Sequence, residues 1–198
     1  RKHNTSAAKC SHTFGKEARY VKIGRAPIAI PQGVTVDINN NLVTVKGPLG
    51  TLSQTVDKSI DVKVEDGHVV CTRHTDDKDH RALHGLYRAL IHNMVVGVTK
   101  GFEKSLIVNG VGYKVTLSGN KMTLNIGFSH PVEFTAPEGI TFAQPQPLEI
   151  VVKGIDRQLV GQTAATIKAI KPVEPYHNYG IHYKDETVIH KVGKRATK

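Results

Sequence analysis

Hydrophobic and polar residues alternate with a period of two at residues 34–38, which read Val-Thr-Val-Asp-Ile. This alternation is typical of a half-buried β-strand. Further short apolar stretches follow, separated by turn residues such as Asn39-Asn40-Asn41 and Gly47-Pro48-Leu49-Gly50. Asp66-Gly67 predicts a tight hairpin, and Pro27-Ile-Ala-Ile-Pro31 is limited to an edge or lead-in segment. The predicted strands are residues 34–38, 42–47, 51–56, 60–65 and 68–73.

After the last of these strands the apolar spacing changes to three and four residues, the pattern of one helix face. Asp76, Asp77 and Asp79 stand at the start of this stretch, where carboxylates can cap free amides and suit the helix dipole. We therefore predict a long helix. Its inward face is formed by Leu83, Leu86, Tyr87, Leu90, Ile91, Met94, Val95 and Val98.

The same order of elements recurs at an offset of about 80 residues. Ile60-Asp-Val-Lys-Val aligns with Ile140-Thr-Phe-Ala-Gln, and Leu86-Tyr-Arg-Ala-Leu90 aligns with Thr166-Ile-Lys-Ala-Ile170. Identities are few, but the order is shared. Asp156 is expected to cap the second helix. Its predicted inward face consists of Leu159, Val160, Thr163, Ala164, Ile167 and Ile170.

Strands followed by one helix, twice, indicate an α+β fold. We predict two tandem duplicated domains, each a small antiparallel sheet packed against one helix. The predicted organisation is a basic N-terminal arm at residues 1–25, a first α+β domain at 26–99, a second α+β domain at 100–174 and an extended basic C-terminal tail at 175–198.

Positive charge is concentrated at the two ends of the chain. Residues 1–25 hold seven Lys/Arg and one acid, and residues 171–198 hold six Lys/Arg and three acids. The residues between them hold fourteen basic and thirteen acidic side chains, while the whole chain has a net charge of +10. Because Lys and Arg that neutralise phosphates release condensed counterions, a neutral body with basic ends favours a polyanion partner. Basic ends that only aid solubility are the alternative.

No combination of residues predicts catalysis. Gly110-Val-Gly112-Tyr-Lys114 lacks the third glycine of a dinucleotide fingerprint. His80 and His84 share a helix face without the Glu of a zinc protease, and we interpret them as solvated. Cys10-Ser-His12 with His3 lacks a nearby fourth metal ligand. We therefore expect no catalytic residue, no metal and no cofactor, and we predict that the chain is not an enzyme.

The C-terminal segment carries a different signal. Residues 171–180 read Lys-Pro-Val-Glu-Pro-Tyr-His-Asn-Tyr-Gly and are predicted to be extended and irregular. Residues 181–183 are a candidate last strand, and basic residues follow. Since tyrosines can stack on bases or riboses, aromatic and basic side chains in one segment favour an RNA-binding surface. An ordinary basic terminus is the alternative.

Linked motifs across residues 21–194 carry a family resemblance. They are Ile23-Gly-Arg-Ala-Pro-Ile-Ala-Ile-Pro-Gln-Gly-Val34, Val45-Lys-Gly-Pro-Leu-Gly50, the run from Leu83 to Phe102, Gly110-Val-Gly-Tyr113 and Leu124-Asn-Ile-Gly-Phe-Ser-His-Pro131. Together they resemble the bacterial and organellar L-six family of large-subunit ribosomal proteins. Residues 93–102 and 128–131 are most similar to its plastid and cyanobacterial branch.

The resemblance implies two duplicated α+β domains and a structural, non-catalytic role in the large ribosomal subunit. The implied partner is large-subunit rRNA near the sarcin–ricin loop, with neighbouring ribosomal proteins in contact and translation factors nearby. We expect no membrane association and no homo-oligomer. Because residues 93–102 and 128–131 resemble the plastid branch and the chain starts at Arg1 rather than Met, we expect a chloroplast ribosome in the stroma, with the bacterial cytoplasm as the alternative. A free RNA-binding regulatory or interaction module is the alternative function.

The family's tail usually reads Pro-Glu-Pro-Tyr-Lys-Gly-Lys-Gly, but residues 173–180 read Val-Glu-Pro-Tyr-His-Asn-Tyr-Gly. His177 and Tyr179 replace lysines, and we expect hydrogen bonding and stacking from them with a weaker salt dependence. We expect removal of residues 174–198 to weaken RNA binding and leave both domains folded. The predicted RNA contacts are Lys22, Arg25, Lys171, Tyr176, His177, Tyr179, Lys184, Lys191, Lys194 and Arg195.

Overall fold

The computed structural model describes residues 22–194, which form two units of the same plan. The first unit consists of α1 (Lys22–Arg25), β1 (Ile28–Ala29), β2 (Thr35–Asn39), β3 (Leu42–Gly47), β4 (Gly50–Thr55), β5 (Ile60–Glu65), β6 (His68–Arg73) and α2 (Lys78–Thr99). The second consists of β7 (Phe102–Asn109), β8 (Lys114–Ser118), β9 (Lys121–Asn125), β10 (Val132–Thr135), β11 (Ile140–Gln146), β12 (Glu149–Gly154), α3 (Arg157–Ile170) and β13 (Gly180–Tyr183).

Each unit divides its strands between two small antiparallel sheets. In the first unit the strand orders are β2-β3-β4 and β1-β6-β5. In the second they are β10-β9-β8 and β11-β12-β7-β13. The predicted duplication and the α+β class are confirmed, although one sheet per unit was expected. In one sheet of each unit a central strand pairs with its two neighbours in the chain: β3 with β2 and β4, and β9 with β8 and β10.

The hairpin between β5 and β6 forms where Asp66-Gly67 predicted it. Both residues have positive φ angles, 46° and 74°, which suit a two-residue turn between antiparallel strands. The register pairs Glu65 with His68 and Ile60 with Arg73. This register turns Val69 and Cys71 toward the first core, where both are buried.

Each helix covers its unit with an apolar stripe. In α2 the buried residues include Ile91, Met94, Val95 and Val98, as predicted. Leu86, also predicted to face inward, is 50% exposed because it lies on the outer edge of that stripe. The buried residues of α3 are Val160, Thr163, Ala164 and Ile167, and the partly buried Ile170 packs against the same core, as predicted. Leu159, also predicted to face inward, is 42% exposed.

The two helix starts differ in their capping. Asp77 is the N-cap residue of α2, but its carboxylate makes no hydrogen bond to a helix amide. It accepts a 2.9 Å hydrogen bond from Thr75 Oγ1 instead, and Asp76 pairs with Arg73. Asp156 does cap α3, since it accepts a 2.8 Å hydrogen bond from Gln158 N. The predicted carboxylate capping is therefore correct for the second helix and wrong for the first.

The units meet where α2 ends. Leu49 N donates a 3.1 Å hydrogen bond to Val98 O inside the first unit, so the β3–β4 turn packs on the last helical turn. A Cβ atom on Gly97 would overlap the carbonyl oxygen of Ile155, which belongs to the second unit. Arg157 Nη1 donates a 3.0 Å hydrogen bond to Asn93 Oδ1 across the same junction. The close backbone approach at Gly97 requires a residue without a side chain.

The second unit continues beyond residue 174, where the sequence predicted its end. β13 pairs with β7 and places Ile181 opposite Val108. The Ile181 side chain is fully buried in the core of the second unit, so part of the tail predicted at 175–198 belongs to the second domain. Removing residues 174–198 would take this strand from the sheet, so we expect that deletion to destabilise the second domain instead of leaving both domains intact. Within the predicted arm, residues 22–25 form α1.

Candidate nucleic-acid interface

One end of the second unit gathers aromatic side chains around Lys171, the first residue after α3. The Lys171 ammonium lies 5.6 Å from the ring centroid of Tyr113 and 4.9 Å from that of Phe128. A cation at these distances is attracted to an aromatic face. Lys171 Nζ also donates a 3.2 Å hydrogen bond to Ile126 O. This lysine therefore holds the turn after β9 in place, besides its predicted role at a phosphate.

Residues 174–179 form a closed loop rather than the extended segment that the sequence predicted. Glu174 N donates to Tyr179 O at 3.0 Å, and Asn178 N donates to Glu174 O at 2.9 Å. Asn178 has a φ of 59°, a left-handed conformation that asparagine tolerates well. The prolines and Asn178 thus produce a turn with its own hydrogen bonds, not an open strand.

The sheet anchors this loop on both sides. Asn109, the last residue of β7, donates a 3.1 Å hydrogen bond from Nδ2 to Asn178 O. Gly180, the first residue of β13, has a φ of 144° and lies so close to Pro172 that a Cβ atom would be 2.7 Å from the Pro172 oxygen. Ile181 N then donates to Lys171 O at 2.9 Å. The loop is therefore held by the strand that follows it and by the strand beside it.

The anchored loop presents three aromatic side chains to solvent. Tyr176 is 49% exposed and Tyr179 is 37% exposed. The ring of His177 stacks on that of Tyr179, with centroids 5.6 Å apart and planes inclined by 20°. The Glu174 carboxylate lies 3.5 Å from His177 Nδ1, so a negative group stands beside this stack.

The basic residues predicted in the tail fall into two groups. Lys191 N donates a 2.8 Å hydrogen bond to Pro175 O, which brings the chain carrying the exposed Lys191 and Lys194 beside the loop. Lys184 points elsewhere, because its ammonium lies 3.0 Å from the Glu149 carboxylate. The Glu149 side chain is only 10% exposed, so Lys184 already neutralises a nearly buried charge.

The N-terminal candidates lie apart from this cluster. Arg25 is exposed in the first unit, where it lines a surface pocket with Arg73 and His84. The side chain of Lys22 and the whole of Arg195 lie outside the described residues. The structure thus brings together Lys171, Tyr176, His177, Tyr179 and the segment of Lys191, and it does not bring Arg25 or Lys184 to them.

His84 is buried, which corrects its interpretation as a solvated histidine. Its Nε2 lies 2.9 Å from Cys71 O and its Nδ1 lies 3.2 Å from Arg73 Nη1. Because a carbonyl oxygen only accepts and a guanidinium only donates, this arrangement suits Nε2 as the donor to Cys71 and Nδ1 as the acceptor from Arg73. Burial also raises the pKa of the neighbouring Cys71 thiol above its ordinary value. This cluster links β6 to α2 and has the geometry of a packed core group.

The sequence reasoning missed three residues of the cluster at the end of the second unit. Tyr113 and Phe128 flank Lys171, and Asn109 holds the loop. In the sequence alone, Gly110-Val-Gly112-Tyr113 is an incomplete dinucleotide fingerprint and a family motif, and neither interpretation places Tyr113 beside Lys171. The useful signal was its two glycines: a Cβ atom on Gly110 would overlap the Tyr113 ring, so the motif folds that ring back toward Lys171.

A second aromatic group lies where the tail crosses the sheet. Tyr183 has the ammonium groups of Lys104 and Lys168 at 5.3 and 4.8 Å from its ring centroid. Glu186 accepts hydrogen bonds from Lys168 Nζ at 2.6 and 2.7 Å and from Tyr183 N at 3.2 Å. The Lys168 hydrogen bonds, with that of the Tyr183 amide, hold the pKa of the Glu186 carboxyl below its ordinary 4.5.

Within residues 22–194, no three His, Cys, Asp or Glu side chains come together as a metal site. In the same part of the chain, no helix combines the length and the apolar character needed to cross a membrane. The main feature of the candidate interface is the aromatic and basic surface around the hydrogen-bonded loop of residues 174–179.

Comparison with known proteins identifies the family. The family profile described as ribosomal protein L6 matches the chain twice, at residues 30–101 and 109–184, and so covers more than half of it. The chain belongs to the ribosomal protein L6 family. The second match extends to the residue after β13, which agrees with the inclusion of this strand in the second unit. Since this family is structural, membership supports the prediction that the chain is not an enzyme.

Similar proteins come from bacteria. The large ribosomal subunit protein uL6 of Natranaerobius thermophilus is 51% identical over 173 residues, which cover 87% of this chain and 97% of that protein. The protein of the same description from Clostridium beijerinckii is 50% identical over 178 residues, or 89% and 99% of the two chains. That of Clostridium botulinum is 49% identical over the same shares. These relatives do not support the expected plastid or cyanobacterial type.

Proposed function

We propose that this protein is a structural constituent of the large ribosomal subunit. The observation that carries the proposal is the family match of both units, together with relatives described as large ribosomal subunit protein uL6 over nearly their whole length. Those relatives favour a ribosome in the bacterial cytoplasm over one in the chloroplast stroma.

The proposed partner is large-subunit rRNA near the sarcin–ricin loop, beside the translation-factor site, with neighbouring ribosomal proteins in contact. The end of the second unit supports RNA as the partner, because it combines exposed aromatic rings with lysines on a rigid loop. Lysines at phosphates position a protein on RNA, and aromatic rings stack on its unpaired bases. No homo-oligomer and no membrane are part of this proposal.

The predicted contacts do not all carry equal weight in the proposal. Tyr176, His177, Tyr179, Lys191 and Lys194 form its centre. Lys171 contributes less, because its ammonium already contacts Tyr113, Phe128 and Ile126 O. Arg25 and Lys22 in the first unit and Arg195 beyond the described residues would add phosphate contacts. Lys184 carries less, because binding a phosphate would compete with its 3.0 Å contact to Glu149.

The assembly role is tested by sedimentation of the tagged full chain from a bacterial extract on a sucrose gradient, before and after a high-salt wash. Stoichiometric retention with large subunits through the wash is expected. Recovery in light fractions would instead favour a free RNA-binding regulator, and so would complete loss in salt. In that case the family match would describe ancestry more than present function.

The RNA surface is tested by the salt dependence of binding to purified large-subunit rRNA. We expect Lys191→Ala and Lys194→Ala each to lower the slope of log affinity against log salt by roughly 1, as for a lost phosphate contact. The matched controls are Lys58→Ala and Lys63→Ala, which remove exposed lysines of the first unit and change the net charge equally. Equal slope changes in both pairs would show a non-specific charge effect and would contradict the assigned surface.

A further inference from the structure

We propose that the stacked rings of His177 and Tyr179 form a platform on which an unpaired RNA nucleobase stacks, in place of a phosphate contact at this loop. The inference rests on the proposed function and names the RNA group that this part of the surface recognises.

The electrostatics around His177 disfavour a phosphate. The Glu174 carboxylate lies beside this histidine, with Oε2 3.5 Å from His177 Nδ1. A phosphate at His177 would have to approach this carboxylate, and like charges repel at such distances. A nucleobase is neutral and has a flat face, so the carboxylate imposes no comparable penalty on it.

The geometry of the rings suits a flat partner. With centroids 5.6 Å apart and planes inclined by 20°, the two rings already form an offset stack that a third ring can extend. The His177 side chain is 65% exposed and Tyr179 is 37% exposed, so ring surface remains open to solvent. Every base has a π-face, so stacking of this kind tolerates different sequences.

The loop holds the platform before RNA arrives. The hydrogen bonds between Glu174 and Tyr179, between Asn178 and Glu174, and from Asn109 to Asn178 determine the backbone on both sides of the stack. A preorganised aromatic surface loses little conformational freedom on binding. The backbone amide of Lys191 donates a hydrogen bond to Pro175 O in the same loop. The Lys191 ammonium can therefore lie near the sugar–phosphate chain of the stacked nucleotide.

The experiment compares binding of the full chain to a short single-stranded oligoadenylate RNA and to an abasic RNA of the same length and charge. We expect about tenfold tighter binding to the oligoadenylate, as for one stacked base. His177→Ala and Tyr179→Leu should abolish this preference, whereas Tyr179→Phe, which keeps the ring, should retain it. His68→Ala, at an exposed histidine of the first unit, is the matched control and should also retain it.

A lysine substitution separates stacking from charge. We expect His177→Lys to lose the preference for bases and to steepen the salt dependence, because a cation replaces a ring. The platform is overturned if the wild type shows no preference, if His177→Ala and Tyr179→Leu keep it, or if Tyr179→Phe loses it. Binding to large-subunit rRNA without a base preference would leave the proposed function intact. Absence of rRNA binding would remove both.

Discussion

The two units share a core plan but differ at one edge of a sheet. In the first unit the edge strand beside β6 is β1, which has two residues and lies between Pro27 and Pro31. In the second unit the corresponding strand, β7, has eight residues and carries β13 on its far side. Because proline cannot donate to a strand ladder, the first edge cannot be lengthened in the same way. The added strand is what anchors the aromatic loop to one unit only.

The helices of the two units also differ, in length and in what lies at their C-terminal ends. α2 has 22 residues and reaches the junction, where Gly97 meets the second unit. α3 has 14 residues and ends at Ile170, so the chain leaves the helix directly into Lys171 and the loop. One copy of the repeat is therefore used to join the two units, and the other to present the candidate RNA surface.

Deleting residues 174–198 should have the largest effect on this comparison. The deletion removes β13 and with it Ile181, whose loss alone is worth about 2–5 kcal/mol in a packed core. We expect the second unit to unfold at a lower denaturant concentration than the first, as measured by hydrogen exchange of strand amides in each unit.

The control is deletion of residues 188–198, which keeps β13 and Glu186. This shorter deletion should leave exchange in both units unchanged while it weakens binding to large-subunit rRNA. Equal protection of β7 amides in the two deletions would mean that β13 does not stabilise the second unit.

Gly97→Ala should have the next largest effect, because it acts on the junction. The new Cβ would overlap the Ile155 carbonyl oxygen, and the strain from such overpacking is about 1–3 kcal/mol. Gly85→Ala in the same helix is the matched control, since nothing lies within 4 Å of a Cβ there. We expect Gly85→Ala to raise stability by up to about 1 kcal/mol through helix propensity. Urea unfolding curves of both variants check the difference, and equal shifts would contradict the close approach.

Much of this architecture is local and could be predicted from the sequence. The Asp66-Gly67 turn depends on neighbours in the chain, and the duplication is visible as an order of local elements that recurs; both predictions are confirmed. The pairing of β13 with β7 is not local, because it joins residues about 70 positions apart. A four-residue stretch after a proline-rich segment gives no sign of that partner.

Contacts between distant segments were even harder to predict at the candidate site. Aromatic residues in the tail were visible in the sequence, and their exposure agrees with the candidate surface. The contact of Lys184 with Glu149, the rings around Lys171 and the hydrogen bond from Asn109 all depend on the folded arrangement of distant segments. A lysine count cannot distinguish an ammonium with an internal partner from one that is free to meet a phosphate.

Lys184→Met tests this distinction between the two kinds of lysine, and its expected effect on stability is smaller than that of Gly97→Ala. It leaves the Glu149 carboxylate nearly buried without its partner, and we expect a loss of about 1 kcal/mol because Lys184 itself is 58% exposed. Lys191→Met should instead preserve stability and reduce the salt slope of RNA binding. Thermal unfolding and RNA titrations of both variants check the contrast. A reduced slope with unchanged stability for Lys184→Met would make it an RNA contact after all.

The smallest expected effect is the pH dependence of the Lys168–Glu186 ion pair, which joins the tail to α3 in the second unit. The folded pKa of Glu186 lies below its ordinary 4.5, chiefly because Lys168 donates to the carboxylate. Its stabilisation is therefore fully present above pH 4.5 and is lost as the pH falls through the folded value. For an ion pair this exposed, screening limits the contribution to less than about 1 kcal/mol. Glu186→Gln should lower the stability of the second unit at neutral pH but not at the acid end, as followed by urea unfolding.

The control is Asp185→Asn, at a carboxylate that is 83% exposed, which should lower the stability much less. A constant difference between Glu186→Gln and the wild type at every pH would mean that the carboxylate charge does not hold the tail to the sheet.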